Sequence, residues 1–224
     1  MKNILIIGCG DIGSLLAKKL SLLGHQVYGI RRSEHVLEGV TMLQADVSRD
    51  FSLYLNSKVQ SLDYVYIILS PDSSTLDSYQ QTFVDSLTYI RKALSAYNIR
   101  HVFFVSSTSV YGQNQGQWVD ENSETEPTAF NGQILVQAEQ LCWQAWPSTV
   151  LRCGGIYGNG RLRLIQWLKS RKPVHQGVWT NRVHVLDVVG ILIFLFEKHQ
   201  QNQSLNKIYL AVDDNPVLQE TVLD

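Results

Sequence analysis

Three glycines stand at phosphate-binding spacing in Gly8-Cys9-Gly10-Asp11-Ile12-Gly13. An apolar run, residues 4–7, leads directly into them, and a helical pattern of apolar residues (Ile12, Leu15, Leu16, Leu20, Leu23) follows. A strand, a glycine turn and a helix in that order make a cradle for a dinucleotide. Gly8 permits the tight turn, Gly10 lets the backbone approach a pyrophosphate, and Gly13 lets helix and strand pack closely. The helix start then offers amide N–H groups and partial positive charge to the phosphates. The competing reading is a turn with no ligand. Cys9, Asp11 and Ile12 complete the cradle. A thiol at a helix N-terminus is acidified, so Cys9 is read either as a redox group or as a small buried residue.

The second strand chooses between cofactors. An NAD site carries an acidic residue about 20 residues past the glycines, bonded to the ribose 2′-OH. Here the segment reads Tyr28-Gly29-Ile30-Arg31-Arg32-Ser33, with arginines where the carboxylate would stand. A guanidinium pairs with a 2′-phosphate and stacks on adenine. Arg31, Arg32 and Ser33 therefore point to NADP, with NAD the alternative; the other reading of the arginines is a solvated surface pair. Asp46 and Val47 either flank the adenine or, for Asp46, cap the next helix. Leu69-Ser70-Pro71 ends another strand and borders the cofactor, as does Ser106, because ligands of such sheets lie at the carboxyl ends of strands.

Strands are expected over residues 2–7, 26–30, 40–43, 62–69, 101–105, 149–152 and 207–212. Helices are expected over 12–23, 82–97, 133–146, 162–170 and 187–198. Their alternation predicts one Rossmann-type α/β domain over residues 1–224: a doubly wound, mostly parallel sheet with helices on both faces. The polar stretch 112–130 has no periodicity, and a loop that long is usually functional or mobile.

Bulk properties exclude several classes. Of 224 residues, 45% are apolar and 17% charged, which argues for a packed domain over a disordered one. A net charge of −1 offers no basic face for nucleic acid. The apolar stretch 188–196 is too short to span a bilayer, and the N-terminus lacks the apolar length of a signal peptide. Cys9, Cys142 and Cys153 have no zinc or disulfide spacing. The expectation is a cytoplasmic protein with reduced thiols, no metal, no nucleic-acid partner and no membrane association.

Beyond the glycine turn, residues 103–112 read FFVSSTSVYG, 151–161 read LRCGGIYGNGR, 182–189 read RVHVLDVV and 209–216 read YLAVDDNP. In this order they resemble the extended short-chain dehydrogenase/reductases, also called the NAD-dependent epimerase/dehydratase family, over nearly the whole chain. The resemblance implies a Rossmann fold, an NAD(P) cofactor and a small-molecule substrate. It also implies substrate-lobe elements within about 154–186 and 213–224, and pairing of two copies through helices 82–97 and 133–146. Ser107 takes the family's serine position, where a hydroxyl bonds a substrate carbonyl. Arg161 and Arg182 fall where members bind a nucleotide-sugar or other anion; ordinary salt bridges are the rival reading. Tyr111, Tyr157 and His184 fall in segments whose usual role is packing, although a histidine can titrate near neutrality.

Three departures qualify the resemblance. The turn is GxGxxG where extended members carry GxxGxxG. The family's tyrosine, its proton donor, and the lysine that acidifies it are replaced: Gln137-Ala138-Glu139-Gln140 fixes the register, so the tyrosine position is Asn131 and the lysine position Leu135. Neither titrates, and no register shift supplies a substitute. The chain stops at 219–224, where a helix is expected to start, which implies a reduced substrate lobe and an open cleft. Two functions follow. One is an NADP-preferring oxidoreductase or epimerase-like enzyme with Ser107 and Asn131 in altered catalytic positions. The other is a non-catalytic NADP-binding redox sensor. Binding of a different nucleotide such as FAD fits the ordered segments less well.

Overall fold

The computed structural model describes residues 1–162, Gln166, Lys169 and 177–223. Seven strands form the central sheet: β1 (Asn3–Ile7), β2 (Gln26–Arg31), β3 (Thr41–Gln44), β4 (Tyr64–Ile67), β5 (His101–Ser107), β6 (Ser148–Cys153) and β10 (Ile208–Ala211). Their order is β10-β6-β5-β4-β1-β2-β3, and every pairing is parallel. Successive strands are added outward in opposite directions on either side of the β1–β4 pair, which opens a crevice at the carboxyl ends of these parallel strands.

Alternation along β1 explains the two layers. Ile4 and Ile6 face one core with α1 (Asp11–Leu22) and α6 (Val185–Gln200). Leu5 and Ile7 face the other, with α2 (Ser52–Lys58), α3 (Leu76–Gln80), α4 (Ser86–Leu94) and α5 (Phe130–Ala145). A strand buried on both sides must be apolar throughout, which is why β1 and β4 read as unbroken apolar runs. This is the expected doubly wound architecture.

Several boundaries differ from expectation. The helix expected over 82–97 begins at Leu76, where the Thr75 hydroxyl caps it by accepting the Ser78 N–H. A π-turn, Gln81–Asp85, joins α3 to α4. Its extra residue shifts the apolar face, so periodicity becomes legible only from Phe83 onward. The seven-residue α2 is too short for a periodic signal. The helix expected over 162–170 lies largely outside the described residues.

The second lobe is built from two small pairings. Parallel β7 (Gly155–Tyr157) and β9 (Arg182–His184) form one. Antiparallel β8 (Trp179–Thr180) and β11 (Val217–Leu218) form the other, followed by α7 (Gln219–Leu223). The aperiodic stretch 112–130 is held by hydrogen bonds within itself and to its surroundings: Glu124 O accepts from the Gln113 amide, Asp120 O accepts from Tyr111 Oη, and the Glu121 carboxylate accepts the Leu210 N–H. No described helix is long and apolar enough to cross a membrane.

Candidate functional site

The glycine turn sits at the switch point, and two of its glycines are dictated by contact. Gly8 has φ +91°, and a Cβ there would lie 2.0 Å from Ile68 O. The turn therefore touches the end of β4 backbone to backbone. A Cβ on Gly13 would lie 2.5 Å from Gly8 O, so only glycine lets α1 seat on the turn. A Cβ on Gly10, by contrast, would meet nothing within 4 Å. Gly10 is also the N-cap of α1 and supplies no side-chain cap. The Ile12 N–H is bonded to Asp11 Oδ1, and open space beside the other first-turn amides suits an incoming phosphate.

Around this turn lies a cleft of about 1510 Å³. Its walls include Gly8, Cys9, Gly10, Asp11 and Ile12 from the turn; Arg31, Arg32 and Ser33 after β2; Asp46 and Val47 after β3; Leu69 and Ser70 after β4; and Ser106 and Ser107 from β5. Asn131, Leu135, Arg161 and Arg182 line it as well. Residues from the whole length of the chain thus converge on one cavity of dinucleotide size. Gly13 and Pro71 are not among its lining residues: Gly13 acts behind the turn, and Pro71 follows the wall residues Leu69 and Ser70.

The two arginines after β2 are in different states. Arg32 is held in a two-pronged pair by Asp72, at 2.5 Å for each bond. Asp72 in turn holds its proton less readily than an ordinary carboxyl because Arg32 bonds it. Arg31 has no ionic or hydrogen-bonded side-chain partner among the described residues. Asp46 does not cap α2. Its carboxylate accepts from the Ser48 N–H and hydroxyl in a tight turn. Partial burial pushes its pKa up, but the Ser48 bonds with Arg49 and Arg32 outweigh that and hold it below the usual value. The α2 start is served instead by Asp50, which accepts from Ser52.

Burial overrides the helix terminus at Cys9. The side chain is fully enclosed, and burial pushes its thiol up despite the bond to Ser14 and the charge on Arg31. Of its two readings, the small buried residue is the one that fits. His184 caps α6, its Nδ1 accepting the Leu186 N–H at 3.3 Å, and its ring meets Tyr157 edge-on. It does not line the cleft.

Beneath the β5 end lies a polar network that sequence patterns did not reveal. Ser106 Oγ donates to Glu139 Oε1 at 2.6 Å, Arg152 Nη2 donates to Glu139 Oε2 at 2.7 Å, and Arg152 Nη1 donates to Tyr111 Oη at 2.8 Å. Glu139 and Arg152 are 1% and 3% exposed, so each charge depends on the other. The Ser106 hydroxyl, expected at the cofactor, is committed to this network. Ser107 accepts the Ser109 N–H and caps the short 3₁₀ turn Thr108–Val110. That places Ser107 beside Asn131 and Leu135 in the cleft wall.

Tyr79, on α3, also lines the cleft. Its ring packs edge-on against Phe130, the neighbour of Asn131, with centroids 5.6 Å apart. Its hydroxyl has no partner among the described residues. Tyr79 lies 52 positions before Asn131 in the chain, so no motif connects them; only the packing of α3 on α5 does.

Comparison with known proteins agrees with this geometry. A protein from Methylobacillus flagellatus, provisionally described as an NAD-dependent epimerase/dehydratase, is 34% identical. It superposes with a TM-score of 0.83 over 99% of this chain and 79% of its own. Escherichia coli K12 protein YeeZ is 28% identical over 207 residues, 88% of this chain and 74% of YeeZ. UDP-glucuronic acid 4-epimerase from Bacillus cereus, solved in complex with NAD, is 19% identical, with a TM-score of 0.81 over 99% of this chain and 80% of its own, and shares the fold. The family model for NAD dependent epimerases/dehydratases matches residues 4–210. The chain belongs to the NAD dependent epimerase/dehydratase family.

Proposed function

We propose that this protein binds NADP(H) in the cleft and carries out a nicotinamide-dependent oxidation–reduction or epimerisation on a small carbonyl or alcohol substrate without the tyrosine–lysine pair. One observation carries the reading: the glycine turn, Arg31, which has no side-chain partner among the described residues, and the Ser107/Asn131 wall line a single cavity. Arg31 would take the 2′-phosphate, since Arg32 is already engaged by Asp72.

The nicotinamide, when bound, supplies hydride transfer, and this chain's residues supply position and electrostatics. Ser107 and the Asn131 amide are neutral donors suited to a substrate carbonyl oxygen. Leu135, 3% exposed, brings no charge to the floor where a lysine would stand. Tyr79 lines the same cleft, and we assign its hydroxyl the proton exchanged with the substrate oxygen. A positioned acid or base contributes about 10²–10⁴-fold, so chemistry with an unassisted tyrosine would be slow but measurable.

The apolar Leu135 also favours a second reading, a dinucleotide sensor with no turnover. Calorimetric titration with NADPH, NADH and their oxidised forms, followed by a screen of carbonyl substrates with NADPH, separates the two. The enzyme reading expects NADPH to bind more tightly than NADH and at least one carbonyl to be reduced. Binding without any reduction supports the sensor. No binding of any of the four removes both.

A further inference from the structure

The cleft holds a second ion pair, and it joins two parts of the protein far apart in sequence. Arg161 follows β7 in the second lobe, just after Gly158 (φ +130°) and Gly160 (φ +81°). Its guanidinium lies 2.7 Å from the carboxylate of Asp11, the first residue of α1 and the neighbour of Gly10. The side chain reaches inward and is 28% exposed, while Asp11 is 57% exposed. Its Nε is buried with no hydrogen-bond partner among the described residues. Burial pushes the thiol of Cys153, at the carboxyl end of β6, up to about 12, and the nearby Arg161 guanidinium only partly opposes that. Arg161 thus hangs over the carboxyl ends of the strands, beside the start of α1.

Such a placement is informative because of charge. A diphosphate lying on the glycine turn would stand next to the Asp11 carboxylate, and two anions at that range repel. Helix amides attract the diphosphate but do not neutralise Asp11. A guanidinium presents five donors in a planar fork, and one bond to Asp11 leaves donors for a second anion. The buried, unpartnered Nε is one of them.

Resting on the dinucleotide reading above, we propose that Arg161 is a diphosphate-binding residue of the cofactor site, delivered by the second lobe and held over the glycine turn by Asp11. One fork then bridges carboxylate and diphosphate. It cancels the repulsion from Asp11 and ties the lobe carrying β7 to the bound dinucleotide.

The test compares two ligands on wild type, Arg161→Ala, Arg161→Lys and Asp11→Asn. NADPH carries the diphosphate; adenosine 2′-monophosphate, measured by displacement of NADPH fluorescence, does not. Arg161→Ala is expected to weaken NADPH on the order of 10–100-fold, the usual range for losing hydrogen bonds to a charged group, and to leave adenosine 2′-monophosphate within about twofold. Arg161→Lys recovers part of the loss as a point charge. Asp11→Asn removes the carboxylate that holds the guanidinium and is expected to weaken NADPH severalfold while leaving adenosine 2′-monophosphate within about twofold; an unchanged NADPH affinity in this variant overturns the tethering by Asp11. Wild-type NADPH affinity in Arg161→Ala overturns the proposal, as does an equal loss for both ligands, which would mark general damage. Wild type binding neither ligand takes away the dinucleotide reading itself, and this proposal with it.

Discussion

Arg31 and Arg32 are adjacent, identical in type and unequal in role. Arg32 is spent on Asp72, whereas Arg31 faces the cleft without a described partner. Substituting them should therefore have different consequences. Arg31→Asp is expected to weaken NADPH by about 1.5–3 kcal/mol, roughly ten- to hundredfold, with a much smaller effect on NADH. Asp72→Asn should tighten NADPH by freeing a second guanidinium; calorimetry reads both. Tyr79→Phe removes only a hydroxyl. It should leave NADPH affinity unchanged and lower kcat about 10²–10⁴-fold on any carbonyl the protein reduces. Unchanged kcat would return Tyr79 to a packing role against Phe83 and Phe130.

At the scale of elements, two contacts between secondary structures control stability. The first is the Glu139–Arg152 pair, which ties α5 to β6. Removing one partner of a buried pair leaves an uncompensated charge, so Glu139→Gln is expected to destabilise by about 3–5 kcal/mol in denaturant unfolding. The second is the histidine contact of β5 with α6. His101 is buried, donates Nε2–H to Thr149 Oγ1 and lies 4.4 Å from the His199 ring. Thr149 gives its own proton to Asn206 O, which makes it the acceptor. Burial, then the charge on His199, lowers the His101 pKa from 6.5 to about 4. The folded state thus takes up its proton only near pH 4, while the unfolded chain does so near 6.5. This contribution is complete above pH 6.5 and is lost as pH falls toward 4, to a total of roughly 3 kcal/mol. Melting temperature should decline between pH 6.5 and 5, before most carboxylates titrate, and His101→Gln should flatten that decline.

For the whole molecule, the association expected through α4 and α5 meets an unusual surface. The outward row of α5 is Gln133, Gln137, Gln140 and Gln144, all exposed, which is hydrogen-bonding and not apolar. A dimer built there would be polar and concentration-dependent in sedimentation; only monomer at high concentration would remove it. Much of the architecture was legible without coordinates. The glycine turn, the β1 and β4 runs and the α5 and α6 patterns are local signals, because strand and helix periods repeat within a few residues. The resemblance-based expectation that Asn131 and Leu135 stand at the tyrosine and lysine positions likewise came from the chain alone, through spacing to Glu139. Short α2, the π-turn that moved the start of the helix to Leu76, and the two-stranded pairings of the second lobe left too few repeats to read. The functional pairings were hidden for a different reason. Arg32 with Asp72, Arg161 with Asp11, Ser106 with Glu139 and Tyr79 against Phe130 each join residues 25 or more positions apart, and charge complementarity alone does not say which cation meets which anion. By itself the sequence determined the fold and the glycine turn between β1 and α1, because both rest on local periods and spacing; only tertiary packing, which brings the carboxyl ends of the strands to one cleft, decided which described side chains there are engaged with one another.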